Sequence, residues 1–208
     1  MKFVSVIMPS FLGHYPDRAK DAEKKFVRAV NSFLKNDHAL KQLVIVSDGC
    51  EITNRICREK KWDRHVEIYL YEIDKQPLFS GEVRSRGLDV AEGAIIAYLD
   101  ADDYILPNHL SNICSKIDEL GLDWCYFNDR ILTGPSQSQL RNAALFKGSC
   151  GTSNIAHVNN LPGLTWRGCD GYGHDFDFIQ RLQQVSNRYD KIYGCGYIVG
   201  HIPKITDY

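Results

Sequence analysis

The sequence predicts an α/β fold, a largely parallel sheet flanked by helices, with a loop-rich region laid over one edge of it. Three observations carry that expectation. Short apolar runs rich in β-branched residues, such as Phe3 to Met8, have the pattern of strands covered on both faces. Between these runs lie segments whose apolar residues recur at helical spacing. The two patterns alternate as far as residue 128, and such a series implies parallel strands with helices on both sides.

Taken in order, Phe3 to Met8 is the first strand. From about Asp17 to Lys35, Ala22, Phe26, Val30 and Phe33 mark the buried face of a helix. Leu43 to Val46 is a second buried strand, stopped by Asp48-Gly49. Ile52 and Ile56 indicate a short helix, and Val66 to Ile73 a third strand. Ser80 is placed to cap a helix running to about Ala91, with Gly93 ending it. Ala94 to Leu99 is a fourth strand and runs directly into Asp100-Ala101-Asp102-Asp103. Pro107 opens a helix carrying Leu110, Ile113, Ile117 and Leu120, closed by Gly121, and Trp124 to Asn128 follows as a strand. Residues 129 to 172 are rich in Gly, Ser, Asn and Pro, and predict long loops and short strands over the sheet edge. A final helix spans about Asp175 to Val185. One domain over 1–208 is expected, with a ligand-binding half to about 128 and a second half from about 129.

Bulk properties narrow the function. The 25 basic and 26 acidic residues nearly cancel, which argues against a nucleic-acid binder that works by bulk electrostatics. Seven scattered cysteines form no Cys-x-x-Cys pair and read as small core residues of a reducing compartment. No apolar run approaches the ~20 residues needed to span a bilayer, so a cytoplasmic location is expected. P-loop, dinucleotide-fingerprint, nucleophile-elbow and His-Glu-x-x-His patterns are all missing from the sequence.

In parallel sheets ligands bind beyond the carboxyl ends of the strands, and Pro9-Ser10, Asp48-Gly49 and the Asp100 cluster all fall there. Three carboxylates within four residues repel one another unless a cation sits among them. Mg²⁺ and Mn²⁺ prefer oxygen ligands and commonly take one or two carboxylates plus substrate phosphates. The competing reading is a solvated acidic turn in which Asp102 or Asp103 caps the next helix. Asp48-Gly49 is either a plain turn or an acceptor for a base N–H. Asp175 and Asp177, at the start of the last helix, are either dipole-complementing residues or a general base. His174 and His201 alone read as ordinary polar residues. Trp124 and Trp166 are either core aromatics or flat faces on which a ligand ring could stack.

The order of these pieces resembles the family-2 glycosyltransferases of GT-A fold. Val4-Ser5-Val6-Ile7-Met8-Pro9-Ser10-Phe11 looks like the family's opening strand and Pro-centred nucleotide loop. Val44-Ile45-Val46-Ser47-Asp48-Gly49 looks like its second strand, whose Asp contacts the base. Val83-Arg84-Ser85-Arg86-Gly87 is similar to its Ala-Arg-Asn-x-Gly, with Ser85 in place of Asn. Leu99-Asp100-Ala101-Asp102-Asp103 is close to its Asp-x-Asp motif. Gly173-His174-Asp175-Phe176-Asp177-Phe178 resembles Gly-Glu-Asp-x-Asp-Phe, with His174 in place of Glu.

That resemblance implies a nucleoside diphosphate sugar donor, UDP-sugar favoured, and a glycan, lipid-linked or other hydroxyl acceptor, with peripheral contact to a membrane if the acceptor lives there. It assigns Pro9, Ser10, Asp48, Arg84 and Asp100 to the donor, Asp102 and His201 to Mn²⁺ or Mg²⁺, and Asp175 to general base catalysis, with Asp177 and Asp170 as alternatives. An inverting single displacement follows. Two other readings are a nucleotidyltransferase, which would need a Gly-rich basic loop where Pro9-Ser10-Phe11-Leu12-Gly13-His14 stands, and a non-catalytic nucleotide-sugar binder of the same fold.

Overall fold

The computed structural model describes residues 2–16, 18–62, 66–134 and 137–200. Its main sheet begins with β1 (Val4–Ser10), β2 (Lys41–Asp48), β3 (Glu67–Ile73) and β4 (Ile95–Tyr98), joined through α1 (Ala22–Leu34), α2 (Glu51–Glu59) and α3 (Gly81–Val90). After β5 (Tyr104–Ile105) and α4 (His109–Leu120) come β6 (Trp124–Phe127), β7 (Asp129–Gly134), β8 (Gln137–Arg141) and β9 (Ile155–Val158). The described chain ends with α5 (His174–Val185), β10 (Tyr189–Ile192) and β11 (Tyr197–Val199).

The seven-stranded sheet runs β10-β6-β9-β4-β1-β2-β3. All its pairings are parallel except those of β9, which lies antiparallel between β4 and β6. Strand alternation divides the core. Val4, Val6, Met8, Leu43 and Ile45 face α1 and α4, where they meet Phe26, Val30, Phe33, Ile113 and Ile117. Ile7, Ile96 and Tyr98 face the opposite way, into Trp166, Phe178, Ile179 and Leu182. Burial on both faces is why β1 and β2 read as continuous apolar runs. At the sheet's edge, β3 is half exposed and alternates.

Local signals act as the sequence implies. The Ser80 hydroxyl accepts from the Glu82 amide at 3.2 Å, the N-cap bond expected of α3. Gly121 closes α4 in the left-handed conformation, φ 61°. Gly87 is the point where α3 touches the sheet, since a Cβ there would lie 2.5 Å from the Ile7 Cγ2. Gly93 does not end α3. That helix stops at Val90, and Gly93 instead lets the chain pass against the Ser5 backbone, donating to the Ser5 hydroxyl at 2.7 Å.

The composition of 129–172 predicts loops and short strands over the sheet edge, and the structure differs in two ways. β9 inserts into the main sheet itself; four residues, three of them fully buried, are too short a run to show a period. A second sheet, β5-β11-β7-β8, stands beside the acidic cluster. It is tied there by Asp103, which accepts from the Tyr197 hydroxyl at 2.8 Å and the Gly200 amide at 2.7 Å. The Tyr197 oxygen in turn accepts from the Asp100 amide at 3.0 Å. Asp103 is therefore no helix cap. It is buried, and its carboxyl is pushed well above the usual range by burial and by the neighbouring Asp102 and Asp100.

Asp103→Ala would leave a buried hydroxyl and a buried amide without an acceptor, at about 1–3 kcal/mol each. Urea unfolding should show Asp103→Ala less stable than wild type by at least about 2 kcal/mol, while Asp103→Asn, which keeps one acceptor oxygen, loses less. Equal loss in the two variants would contradict this role.

Candidate active site

The carboxyl ends of β1, β2 and β4 and the amino ends of α3 and α5 converge on one cleft. A cavity of about 340 Å³ there is lined by Pro9, Ser10, Asp48, Arg84, Asp102 and Asp175, among others. Pro9, Ser10, Asp48, Arg84, Asp100, Asp102 and Asp175, the residues assigned to the donor, the metal and the base, thus border the same space. His201 lies outside the described residues. A second cavity, also about 340 Å³, lies on the other side of Asp175 and is lined by Arg141, Lys147, Thr152 and Tyr172, among others. Phe79, Asp100, His174 and Asp175 border both.

Arg84 organises the junction. Its side chain is almost wholly buried, donating to Asp100 Oδ1 at 2.8 Å and to the Thr152 hydroxyl at 3.3 Å, with Trp166 beneath it at 5.3 Å. Its other terminal nitrogen lies 3.1 Å from His174 Nε2. A guanidinium only donates, so Nε2 must accept, and the ring carries its proton on Nδ1, 3.2 Å from the Gly171 carbonyl. In that tautomer the contact of 3.0 Å between Nε2 and Asp175 Oδ1 is no hydrogen bond, and this buried oxygen has no donor.

The charges settle accordingly. Burial pushes the Asp175 carboxyl up, but the Arg84 guanidinium and the Thr152 amide draw it down, and the group lies below the ordinary carboxylate range. Asp100 moves the other way: burial in the cleft, reinforced by Asp175 and Asp102, raises it despite Arg84. The acidic cluster is therefore not three equivalent carboxylates. Asp100 is bound to Arg84, Asp103 to the second sheet, and Asp102 faces the first cavity.

At the far end of that cavity Asp48 stands at a turn. Gly49 turns the chain at φ 58°, and the Asp48 carboxylate accepts from Lys75 Nζ at 2.7 Å and the Gln76 amide at 2.6 Å. Lys75 also sits 4.4 Å above the Phe11 ring. Burial raises Tyr15, another lining residue, to about 12. Ser10 is turned toward Thr53, oxygen to oxygen 2.9 Å.

Some predicted roles fall away. Asp170 and Asp177 border neither cavity; Asp170 instead accepts from Ser80 and the Gly81 amide, tying the 166–170 loop to α3. Trp124 and Trp166 are fully buried and cannot offer a face to a sugar: Trp166 stacks on Phe178 at 3.8 Å and Trp124 on Tyr189 at 4.1 Å. Lys75, Phe79, Thr152 and Tyr197 escape the sequence reading. Only Lys75 had a signal, since it follows a strand that ends at the active edge.

Among the described residues no group of three or more His, Cys, Asp or Glu side chains is arranged to hold a metal. A carboxylate lining a cavity, as Asp102 does, suits an ion that completes its shell from phosphate and water.

Comparison with known proteins agrees with this geometry. The profile of the family described as glycosyl transferase family 2 matches residues 5–146. The poly(ribitol-phosphate) β-N-acetylglucosaminyltransferase TarS of Staphylococcus aureus is 28% identical over 120 residues, 57% of this chain and 19% of TarS. The Escherichia coli UDP-Glc:α-D-GlcNAc-diphosphoundecaprenol β-1,3-glucosyltransferase WfgD is 26% identical over 133 residues, 64% of this chain and 48% of WfgD. The matched regions thus span less than half the length of these curated relatives. Among solved structures, S. aureus TarS 1–349 in complex with UDP-GlcNAc superposes with a TM-score of 0.72 at 19% identity, covering 95% of this chain and 58% of that one. The mannosyltransferase PcManGT of Pyrobaculum calidifontis, in complex with GDP-Man and Mn²⁺, gives 0.67 at 14% identity, covering 98% and 58%. The fold is the GT-A type, and the chain belongs to glycosyl transferase family 2.

Proposed function

We propose that this chain transfers a sugar from a nucleoside diphosphate sugar, with UDP-sugars favoured, to an acceptor hydroxyl with inversion at the anomeric carbon. The observation that carries the reading is the convergence of Asp48, Arg84, Asp100, Asp102 and Asp175 on one cleft at the carboxyl edge of a parallel sheet. The UDP-GlcNAc bound by TarS and the UDP-Glc named for WfgD support the choice of donor.

In this reading the base lies between Phe11 and Asp48, with Pro9 and Ser10 forming the floor beside it. Asp100, steered by Arg84, faces the ribose or the metal. Asp102 would hold Mn²⁺ or Mg²⁺, joined by His201, and the Mn²⁺ bound by PcManGT supports that choice. Such an ion supplies Lewis-acid stabilisation of the diphosphate as charge builds on it. Asp175, on the boundary between the cavities, accepts the proton of the acceptor hydroxyl. The hydroxyl oxygen bonds to the anomeric carbon from the face opposite the leaving group, and the bond from that carbon to the diphosphate oxygen breaks. The donorless Oδ1 of Asp175 is the lone pair available for that proton. Because the Arg84 guanidinium holds the carboxyl low, Asp175 is ionised at neutral pH and needs no activation by deprotonation.

The acceptor is a glycan, a lipid-linked sugar or another hydroxyl compound, reached at a membrane surface if it is lipid-linked. Among the described residues no helix is long and apolar enough to cross a membrane. All seven cysteines are unpaired, which supports a cytoplasmic setting.

Incubation with a panel of nucleotide sugars and Mn²⁺ should release nucleoside diphosphate from one donor, and chelator should abolish that release. Release from none, with no donor binding by thermal shift, would reject the reading. Asp175→Asn should lower kcat about 10²–10⁴-fold with donor KM little changed, whereas Asp102→Asn should impair both. Undiminished turnover by Asp175→Asn would remove Asp175 as the base.

A further inference from the structure

The buried tryptophans leave the second cavity without the aromatic wall that a sugar site commonly has, yet two other rings stand at its mouth. Phe79 and Tyr172 meet edge to face, centroids 5.9 Å apart at 89°, and are 51% and 88% exposed. Neither is needed by the core. Both border the second cavity, and Phe79 also borders the first. The Phe79 ring lies 6.0 Å from that of His174, whose Nε2 is 3.0 Å from Asp175.

Backbone conformation fixes the pair in place. Among the described residues Phe79 is one of two non-glycine residues with positive φ, at 59°, a left-handed conformation disfavoured for a side chain of this size. It is held there by backbone bonds at Phe79 and the two residues after it. The Phe79 carbonyl accepts from the Gly171 amide at 3.1 Å, Ser80 bridges Asp170, and the Gly81 amide donates to Cys169 at 2.9 Å. Tyr172 sits between Gly171 at φ 81° and Gly173 at φ 103°. Strain retained in an anchored turn that serves to expose a phenyl ring points to function.

We propose that Phe79 and Tyr172 form a stacking platform for the pyranose ring of a carbohydrate acceptor, presenting its hydroxyl to Asp175. This rests on the glycosyl-transfer reading and names the acceptor class. A pyranose has an apolar C–H face for an aromatic ring and a rim of hydroxyls. Arg141, Lys147, Thr152 and Ser153 supply donors and acceptors around the same cavity. That charged flank is wrong for an acyl chain, and a Ser or Thr side chain has no ring to stack.

Saturation-transfer NMR with methyl pyranosides of glucose, galactose, mannose and N-acetylglucosamine tests this, with ribitol as an acyclic control. At least one glycoside should bind through the C–H protons of one ring face. Tyr172→Ala should weaken it roughly tenfold or more, Tyr172→Phe and Phe79→Tyr should preserve it, and ribitol should not compete. UDP affinity should be unchanged in Tyr172→Ala, because that ring borders only the second cavity. Failure of every glycoside to bind, wild-type affinity in Tyr172→Ala, or equal binding of ribitol would each overturn the platform. Donor turnover is scored separately: glycoside binding without nucleoside diphosphate release would count against the proposed reaction and leave the platform standing.

Discussion

The buried guanidinium of Arg84 is the interaction on which the cleft depends. It is held by α3, rests over Trp166, and reaches Asp100, Thr152 and His174, which come from three separate parts of the chain. A cation buried without partners is prohibitively costly, so these acceptors and the charge are mutually required. Arg84 also relieves the carboxylate crowding that the Asp100 cluster would otherwise suffer. A protein cation, fixed by the fold, supplies part of the compensation that the sequence alone assigns to a metal.

With that partnership in place, the four residues after β4 divide their labour. Asp103 turns inward and fastens the second sheet through Tyr197 and Gly200. Asp100 turns to Arg84, and Asp102 faces the cavity. The same short segment thus joins the two sheets and presents a carboxylate to the ligand space. His174 extends the logic across the cleft: by accepting from Arg84 it leaves Asp175 Oδ1 without a donor, between the two cavities. A glutamate at position 174 would bring a second negative charge to Arg84, whereas the imidazole accepts from the arginine through Nε2 and adds none.

Much of this was legible in the sequence, and the reasons are local. β1 and β2 are buried on both faces, so they appear as unbroken apolar runs, and α3 and α4 carry their own stop and start signals in Ser80 and Gly121. Carboxylates placed just past a buried strand are legible because parallel sheets put such positions at one edge. What escaped is long-range. β9 is too short to show a period, and its antiparallel insertion has no local cause. The partners of Asp103 lie more than ninety residues away. Burial of individual aromatics is likewise a tertiary outcome: Trp166 is covered because Phe178 stacks on it, while Phe79 is exposed by an anchored backbone turn.

A crystal structure of the protein with UDP and Mn²⁺ would show whether the cleft around Arg84 is the nucleotide-sugar site. The uracil should lie between Phe11 and Asp48 and the diphosphate beside Asp102, with Arg84 still bound to Asp100. UDP seated elsewhere, or a diphosphate with no contact near Asp102, would contradict that assignment.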